Sequence, residues 1–259
     1  MTIAKTALHA ARTGGEVLMK YFRQGVSMRH KGPVDLVSDA DVESEHAIAD
    51  VIRQTYPDHR LLGEEGLSAG TSAEHLWVID PLDGTTNFAH DIPHFAVSLG
   101  YYHNGVAQQA VIFNPARNDI YTAERGRGAF HNERTLSVST ADSMNEVLIG
   151  VGFYYDRGSM MEATLAAVKD CFGHQIRGIR RMGTASLDLA QVASGQYGAF
   201  FEYQLSAWDF AAGRLLVEEA GGHITTCHGA ELPLEKTSVL ACSRQLHETV
   251  CEITSRHHP

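Results

Sequence analysis

The alternation of apolar and polar positions changes period several times along the chain, and each change marks an element. Residues 3–22 carry apolar side chains at Ile3, Ala7, Ala10, Val17, Leu18 and Tyr21, a spacing near 3.6 that predicts an amphipathic helix. Gly25 to Pro33 is polar, holds Arg29, His30 and Lys31, and reads as a loop. Val34 to Asp41 then leads into a second helix ending near Tyr56, with Ser38 or Asp39 as its N-cap. The short apolar run Leu61-Leu62-Gly63 stops on Glu64-Glu65, and the longer run Trp77-Val78-Ile79 stops on Asp80. Pro81-Leu82-Asp83 follows, and Gly84-Thr85-Thr86 is where a further helix is expected to open.

From Phe95 to Ser139 the period falls to two, in runs such as Phe95, Val97, Leu99 and Tyr101, with turns at Asn104-Gly105 and Asn114-Pro115 and a hairpin-like stretch from Gly128 to Val138. This pattern predicts an antiparallel sheet. Beyond the polar segment from Asp142 to Asn145 the elements alternate. Strands are expected at Val147–Phe153, Gly198–Gln204, His223–Cys227 and Ser238–Ser243. Helices are expected along the face Met161, Leu165, Val168 and Phe172, from Gly183-Thr184-Ala185 to Ser194, from Asp209 to Ala220, and around Leu246, Val250 and Ile253. An α+β chain follows, with an N-terminal half over 1–143 and a layered α/β half over 144–259.

Bulk properties narrow the function without choosing it. A chain of 259 residues has room for one large domain or two small ones. Its formal net charge of −10 disfavours a nucleic-acid or anionic-membrane surface, and makes a bound cation more necessary for any anionic substrate. The four cysteines, Cys171, Cys227, Cys242 and Cys251, contain no C-x-x-C, so neither a zinc knuckle nor a disulfide framework is indicated. With no signal-like or membrane-length apolar run, a reduced, cytoplasmic setting fits. The fifteen histidines form no HExxH or HxH pair and read as surface or core residues, with His257-His258 as a polar tail.

Candidate chemistry gathers where apolar runs end on carboxylates. Asp80 and Asp83 offer oxygens to a hard cation such as Mg2+, and the N–H groups of Gly84 and Thr85 offer a phosphate site at a helix start. Glu64 joins Asp80 on one metal, or Glu64-Glu65 is a solvated loop tip. Asp35 and Asp41 are second-helix carboxylates that either complement the helix dipole or act in catalysis. Asp209, after Ala207-Trp208, is an N-cap aspartate beside a core tryptophan or a further ligand. Glu202 stands on the apolar strand Ala199-Phe200-Phe201, where a buried carboxylate is costly, or faces solvent at the strand end.

Taken in order, Gly63-Glu64-Glu65, Asp80-Pro81-Leu82-Asp83-Gly84-Thr85 and Trp208-Asp209 resemble the inositol monophosphatase family, and bacterial members above all. The similarity extends to Asp35-Leu36-Val37-Ser38-Asp39-Ala40-Asp41, Gly183-Thr184-Ala185 and Glu219-Ala220-Gly221-Gly222, and so spans nearly the whole chain. It implies a layered αβαβα sandwich of the inositol monophosphatase and sugar phosphatase type, and usually a homodimer. The implied activity is Mg2+-dependent hydrolysis of phosphate monoesters, by direct attack of metal-activated water and with two to three ions per site.

By position, the resemblance gives Glu64, Asp80 and the Leu82 carbonyl to the first ion, and Asp80, Asp83 and Asp209 to the second. A third ion leans on Glu64. Asp41, Glu64 and Thr85 orient the attacking water, Gly84 and Thr85 hold the phosphate, and Glu202 and Ala185 contact the alcohol. Asp35 and Glu65 fall behind the ligands. The segment Gly152-Phe153-Tyr154-Tyr155-Asp156-Arg157 departs from the serine-bearing segment of animal relatives, so Tyr155 and Arg157 bear on which alcohols fit. Inositol 1-phosphate and related polyol phosphates are the expected substrates. Histidinol phosphate, fructose 1,6-bisphosphate and adenosine 3′,5′-bisphosphate stand as alternatives within the superfamily. Sensitivity to Li+ is implied as well. Some bacterial relatives act on transcription, which keeps open an association with RNA polymerase, though not direct binding of nucleic acid.

Overall fold

The computed structural model describes residues 1–24, 28–30 and 36–259. Asp35 and most of the polar stretch from Gly25 to Pro33 lie outside the described residues. In chain order the elements are α1 (Ile3–Gln24), β1 (Met28–His30), β2 (Leu36–Ser38), α2 (Asp39–Thr55), β3 (Arg60–Gly63), β4 (His75–Asp83) and α3 (Thr85–Ala89). They continue with β5 (Ala96–His103), β6 (Val106–Asn114), β7 (Asp119–Glu124), β8 (Gly128–His131) and β9 (Arg134–Thr135). The remainder is β10 (Leu148–Val151), α4 (Ser159–Gly173), β11 (Gly178–Arg180), α5 (Ala185–Ala193), β12 (Ala199–Leu205), α6 (Ala207–Glu219), β13 (His223–Thr225), β14 (Thr237–Cys242) and α7 (His247–His257).

Two sheets organise these elements. The larger has seven strands in simple sequence order from β3 to β9, antiparallel except for the parallel β3–β4 pair. The smaller has five strands in the order β11-β10-β12-β14-β13, with β10 parallel to both neighbours. Strand alternation decides which layer each side chain joins. On β4, Trp77 and Ile79 turn towards Leu18, Ile48 and Ile52 of α1 and α2. Leu76 and Val78 turn the other way, into a core shared with Leu189 of α5, Phe210 and Leu215 of α6, and Phe200 of the second sheet. The outer face of that second sheet, Ile149, Phe201 and Leu240, is covered by Ala167 and Cys171 of α4 and by Val250 and Ile253 of α7. The layers therefore run helix, sheet, helix, sheet, helix, as expected.

Several local expectations change. Part of the polar stretch after α1 is strand, since Met28–His30 pairs antiparallel with Leu36–Ser38. Backbone pairing alone makes such a ribbon, without an alternating pattern to announce it. On α4 the buried stripe is Thr164, Ala167 and Cys171, while Leu165 and Phe172 are 47% and 53% exposed. The two stripes differ by one residue, or about 100° of helix rotation, and the small side chains are the ones placed against the sheet. His257 is no tail: it ends α7 and meets Asp170 at 3.1 Å, holding that carboxyl below its ordinary pKa. The strand at His223 stops at Thr225. All four cysteines are free thiols, and among the described residues no helix is long and apolar enough to cross a membrane.

Candidate active site

Strand β4 runs buried through the first sheet and bends at its C-terminal end, where the register against β5 shifts between Asp80 and Asp83. The bend is self-made: Asp80 Oδ1 accepts the Leu82 N–H at 3.0 Å, and Pro81 leaves its own carbonyl to the Ser44 hydroxyl at 3.1 Å. Gly84 follows at φ 93°, a left-handed conformation that favours glycine, and a Cβ there would lie 2.5 Å from Thr184 Oγ1. Helix α3 then begins, but it has five residues, so the first-turn N–H groups rather than a long dipole are what it offers an anion.

The bend forms the floor of a cleft of about 270 Å³ that takes its other wall from the second sheet. Glu64, Asp80, Asp83 and Asp209 all line it, together with Leu82, Gly84, Thr85, Ala185 and Glu202. Glu64 arrives on the bend after β3, and Asp209 on the first turn of α6. Asp209 is not the N-cap, which is Ser206, and Trp208 is only partly buried. As the third residue of α6, Asp209 closes a capping box by accepting the Ser206 N–H on Oδ2 at 2.6 Å, and it lines the cleft as well. Thr85 donates its hydroxyl to the Leu82 carbonyl at 3.0 Å and lies 3.4 Å from Asp41 Oδ1. Asp41 and Glu65 stand behind the lining rather than in it.

Asp83 joins the two sheets' territories. Its carboxylate accepts the Ala185 N–H at 3.2 Å, the Ser186 N–H at 2.7 Å and the Ser186 hydroxyl at 2.5 Å, all from the start of α5. Nearby, Asn87 reaches the carbonyls of His94 and Met182, each at 2.8 Å. The Ala185 N–H is thereby committed to Asp83, while the residue lines the cleft.

Electrostatics show what the cleft's donors suit. Burial first, and then the charges of Glu64, Asp83 and Asp209, push the Asp80 pKa well above the carboxylate range. Burial, Glu64 and Asp83 do the same to Asp209. Burial raises Asp83 to about 6 despite its donors from Ser186 and Ala185, and raises Glu202 to about 8 against the pull of Arg181. Carboxylates that destabilise one another's charge call for a cation, and an all-oxygen set suits a hard one. The donors therefore fit Mg2+. Glu202 is 8% exposed and does not face open solvent. Its Oε2 would lie 1.7 Å from a Cβ at residue 152, so only glycine leaves it room there.

A second cluster, Glu74, His75 and His103, has ligand atoms within 4.8 Å of one another. The two imidazoles are stacked at 9° with centroids 4.8 Å apart. Ring-nitrogen lone pairs lie in the ring plane, so here they run side by side rather than converge on one ion.

A model of the inositol monophosphatase family matches residues 1–258. The chain belongs to the inositol monophosphatase family. It is 42% identical over 259 residues to the inositol-1-monophosphatase of Rhizobium meliloti, covering 99% of this chain and 94% of that one. It is equally 42% identical over 255 residues to the putative Nus factor SuhB of Neisseria meningitidis serogroup B, covering 97% of each. Among solved structures, the extragenic suppressor protein suhB of Bartonella henselae superposes with a TM-score of 0.91 at 35% identity, over 97% of this chain and 98% of that one. The Thermotoga maritima IMPase gives 0.88 at 31% identity, over 96% and 95%. The layered fold of this inositol monophosphatase family member is thus that of its structural neighbours.

Sequence reasoning missed four residues. Arg181 and Asp188 line the cleft, and Asp188 is 1% exposed with no partner for Oδ1. Ser44 and Glu45 lie buried beneath it on α2. A signal for α2 existed: Asp41, Ser44 and Glu45 continue the helical spacing of Ile48 and Ile52, so they are polar residues at core-facing positions. Asp188 carried the same mark, a charge inside the apolar helix Ala185–Ala193. On the outer wall Phe153, Tyr154 and Tyr155 line the cleft, whereas Arg157 turns to the Tyr154 carbonyl at 2.9 Å and does not reach it.

Proposed function

We propose that this chain is a Mg2+-dependent phosphomonoesterase that hydrolyses inositol 1-phosphate and related polyol phosphates to free alcohol and inorganic phosphate. Family membership supports a phosphatase. The observation that carries the fuller reading is the meeting of Glu64, Asp80, Asp83 and Asp209 in one cleft beside the Thr85–Asp41 pair. Glu64, Asp80 and the Leu82 carbonyl would hold one ion, Asp80, Asp83 and Asp209 a second, with a weaker third beside Glu64. Asp83 can do this while bonded to α5, since a carboxylate has about four acceptor positions and three donors use it. Bound there, Mg2+ would supply the positive charge that activates a water and offsets charge on the phosphoryl group and leaving oxygen.

The chain's own groups do the positioning. Thr85 Oγ1, with its proton directed to Leu82 O or Asp41, presents lone pairs to the attacking water, Asp41 acts by holding that hydroxyl, and Glu64, in the cleft, accepts the proton that the water gives up. The N–H groups of Gly84 and Thr85 bind phosphate oxygens. Glu202 and Ala185, on the second wall, meet the alcohol, so the half 1–143 carries most of the ion ligands and the half 144–259 carries Asp209 and the alcohol contacts. Glu202, raised to about 8, stays protonated near neutrality and so donates as well as accepts.

A phosphate-release panel with Mg2+ tests this. Inositol 1-phosphate is expected to be turned over faster than histidinol phosphate, fructose 1,6-bisphosphate and adenosine 3′,5′-bisphosphate. Faster hydrolysis of histidinol phosphate by orders of magnitude would sink the substrate assignment. Inhibition by millimolar Li+ at the second ion's position belongs to the same reading. So do a cytoplasmic setting and a homodimer, for which the exposed Leu165 and Phe172 on α4 offer apolar contact surface.

A second reading rests on the relatives named Nus factor SuhB. Under it the chain binds the transcription machinery through protein contacts, and its net charge of −10 argues against direct nucleic-acid binding. Pull-down of RNA polymerase by wild type and by Asp83→Asn separates the roles: equal capture with lost turnover would show binding independent of catalysis.

A further inference from the structure

We infer that Glu45 is the residue that positions Glu64, by holding the backbone turn on which Glu64 is carried. The inference deepens the Mg2+ reading and rests on it for its consequence, though not for its geometry. Of the six carboxylates that line the cleft, Glu64 alone sits outside a regular element: β3 ends at Gly63 and the chain bends through residues 64–66. The bend closes at its base, where the Gly63 N–H donates to the Leu67 carbonyl at 2.9 Å. Its tip is held from below. The Glu65 N–H donates to Glu45 Oε2 at 2.9 Å; burial raises the Glu45 pKa, and the N–H groups of Glu65 and Gly66 work against that rise. The fit is close, because a Cβ on residue 63 would lie 2.2 Å from Oε2.

Glu45 is 1% exposed, and a buried carboxylate is retained only where donors compensate its lost hydration. Here the donors are main-chain groups next to a cleft carboxylate. The same face of α2 supports the rest of the floor, with Ser44 bonded to the Pro81 carbonyl and Asp41 beside Thr85. Positions 41, 44 and 45 share a helix face by their spacing. Strand pairing brings Gly63 beside Ile79 and so sets the register of the two segments, and the α2 face holds the turn beyond that pairing, where β3 has ended and Glu64 is carried.

The test compares the full chain with Glu45→Ala, Glu45→Gln and Glu45→Asp, reading Mg2+ affinity by calorimetry without substrate. Glu45→Ala leaves the Glu65 N–H without its acceptor, and a hydrogen bond to a charged group has a worth that converts to a loss of roughly tenfold or more in affinity. Glu45→Gln keeps an acceptor oxygen and should restore binding to within about threefold, since a neutral bond is weaker by less than that loss. Glu45→Asp, one methylene short, should behave like the alanine variant and serves where that variant does not fold. Unchanged Mg2+ affinity in a folded Glu45→Ala or Glu45→Asp, or equal losses in Glu45→Gln and Glu45→Ala, overturns the inference. If wild type takes up no Mg2+, the phosphatase reading fails, and amide exchange at Glu65 decides this one. Protection in wild type and Glu45→Gln with loss in Glu45→Ala supports it; equal protection in all three overturns it.

Discussion

The Ser186 hydroxyl and N–H both donate to Asp83 Oδ2, at 2.5 and 2.7 Å, across 103 residues of chain. This contact fixes a cleft carboxylate from the first sheet against the start of a helix that packs on the second. Ser186→Ala removes the side-chain donor and keeps the backbone one. Because the bond is buried and goes to a carboxylate, the variant should lose about 1.5–3 kcal/mol of stability, read by denaturant unfolding. Without that donor the Asp83 pKa should rise further, so the acid limb of the rate profile should move to higher pH. An unchanged profile and unchanged stability would remove Asp83 from this role.

Metal-free protein should lose stability as pH rises through the neutral range. Asp83 and Glu202 stand at about 6 and about 8 in the fold, against ordinary values of 3.8 and 4.5, and Asp80 and Asp209 are raised as well. Between the unfolded and folded values the native state holds more protons, so stability falls with pH until the folded pKa is passed. The depressed histidines His59, His94, His247 and His258 work in the opposite sense, but below their ordinary 6.5. Melting temperature in chelator should therefore fall between about pH 7 and about pH 8, and Mg2+ should raise it more at the higher pH. A Tm that is flat in pH and indifferent to Mg2+ would contradict this electrostatic account.

Thr85→Val keeps the size of the side chain and deletes the hydroxyl between Asp41 and the Leu82 carbonyl. If that hydroxyl orients the attacking water, kcat should fall by roughly a hundredfold or more while Mg2+ affinity stays near wild type. Thr85→Ser should recover most of the rate. Equal loss in both variants would show that Thr85 matters for packing rather than for the water.

Much of the cleft was legible because its residues sit where patterns break. Asp80, Asp83 and Gly84 interrupt an apolar strand, Glu64 ends another, and Asp209 opens a helix, so each stands out against its neighbours. Polar residues inside an amphipathic helix do not stand out in this way. Glu45 and Asp188 show only when the apolar face of each helix is followed through them, because a helix ordinarily has a polar side. The α4 face failed for the converse reason: large apolar residues outrank small ones in any hydrophobic reading, yet Ala167 and Cys171 are what the sheet contacts. The switch in period from two to 3.6 gave the kinds of element, and the layer order came with the family resemblance. The parallel pairing of β10 with β11 and β12, and the side of the cleft reached by Arg181, depend on contacts far apart in sequence.

The central claim is that Glu64, Asp80, Asp83 and Asp209 form a cation site for phosphate ester hydrolysis, and Mg2+ titration of the purified chain near pH 7 tests it most directly. Raised carboxylates hold protons that a bound cation must displace, so uptake should release protons, seen as a dependence of the calorimetric heat on the buffer's ionisation enthalpy. The account predicts Mg2+ uptake with proton release and Mg2+-dependent phosphate release from inositol 1-phosphate. Asp80→Asn should abolish the uptake and cost at least roughly a hundredfold in rate. Folded wild-type protein that takes up no Mg2+, or an Asp80→Asn variant within a few-fold of wild-type activity, would contradict it.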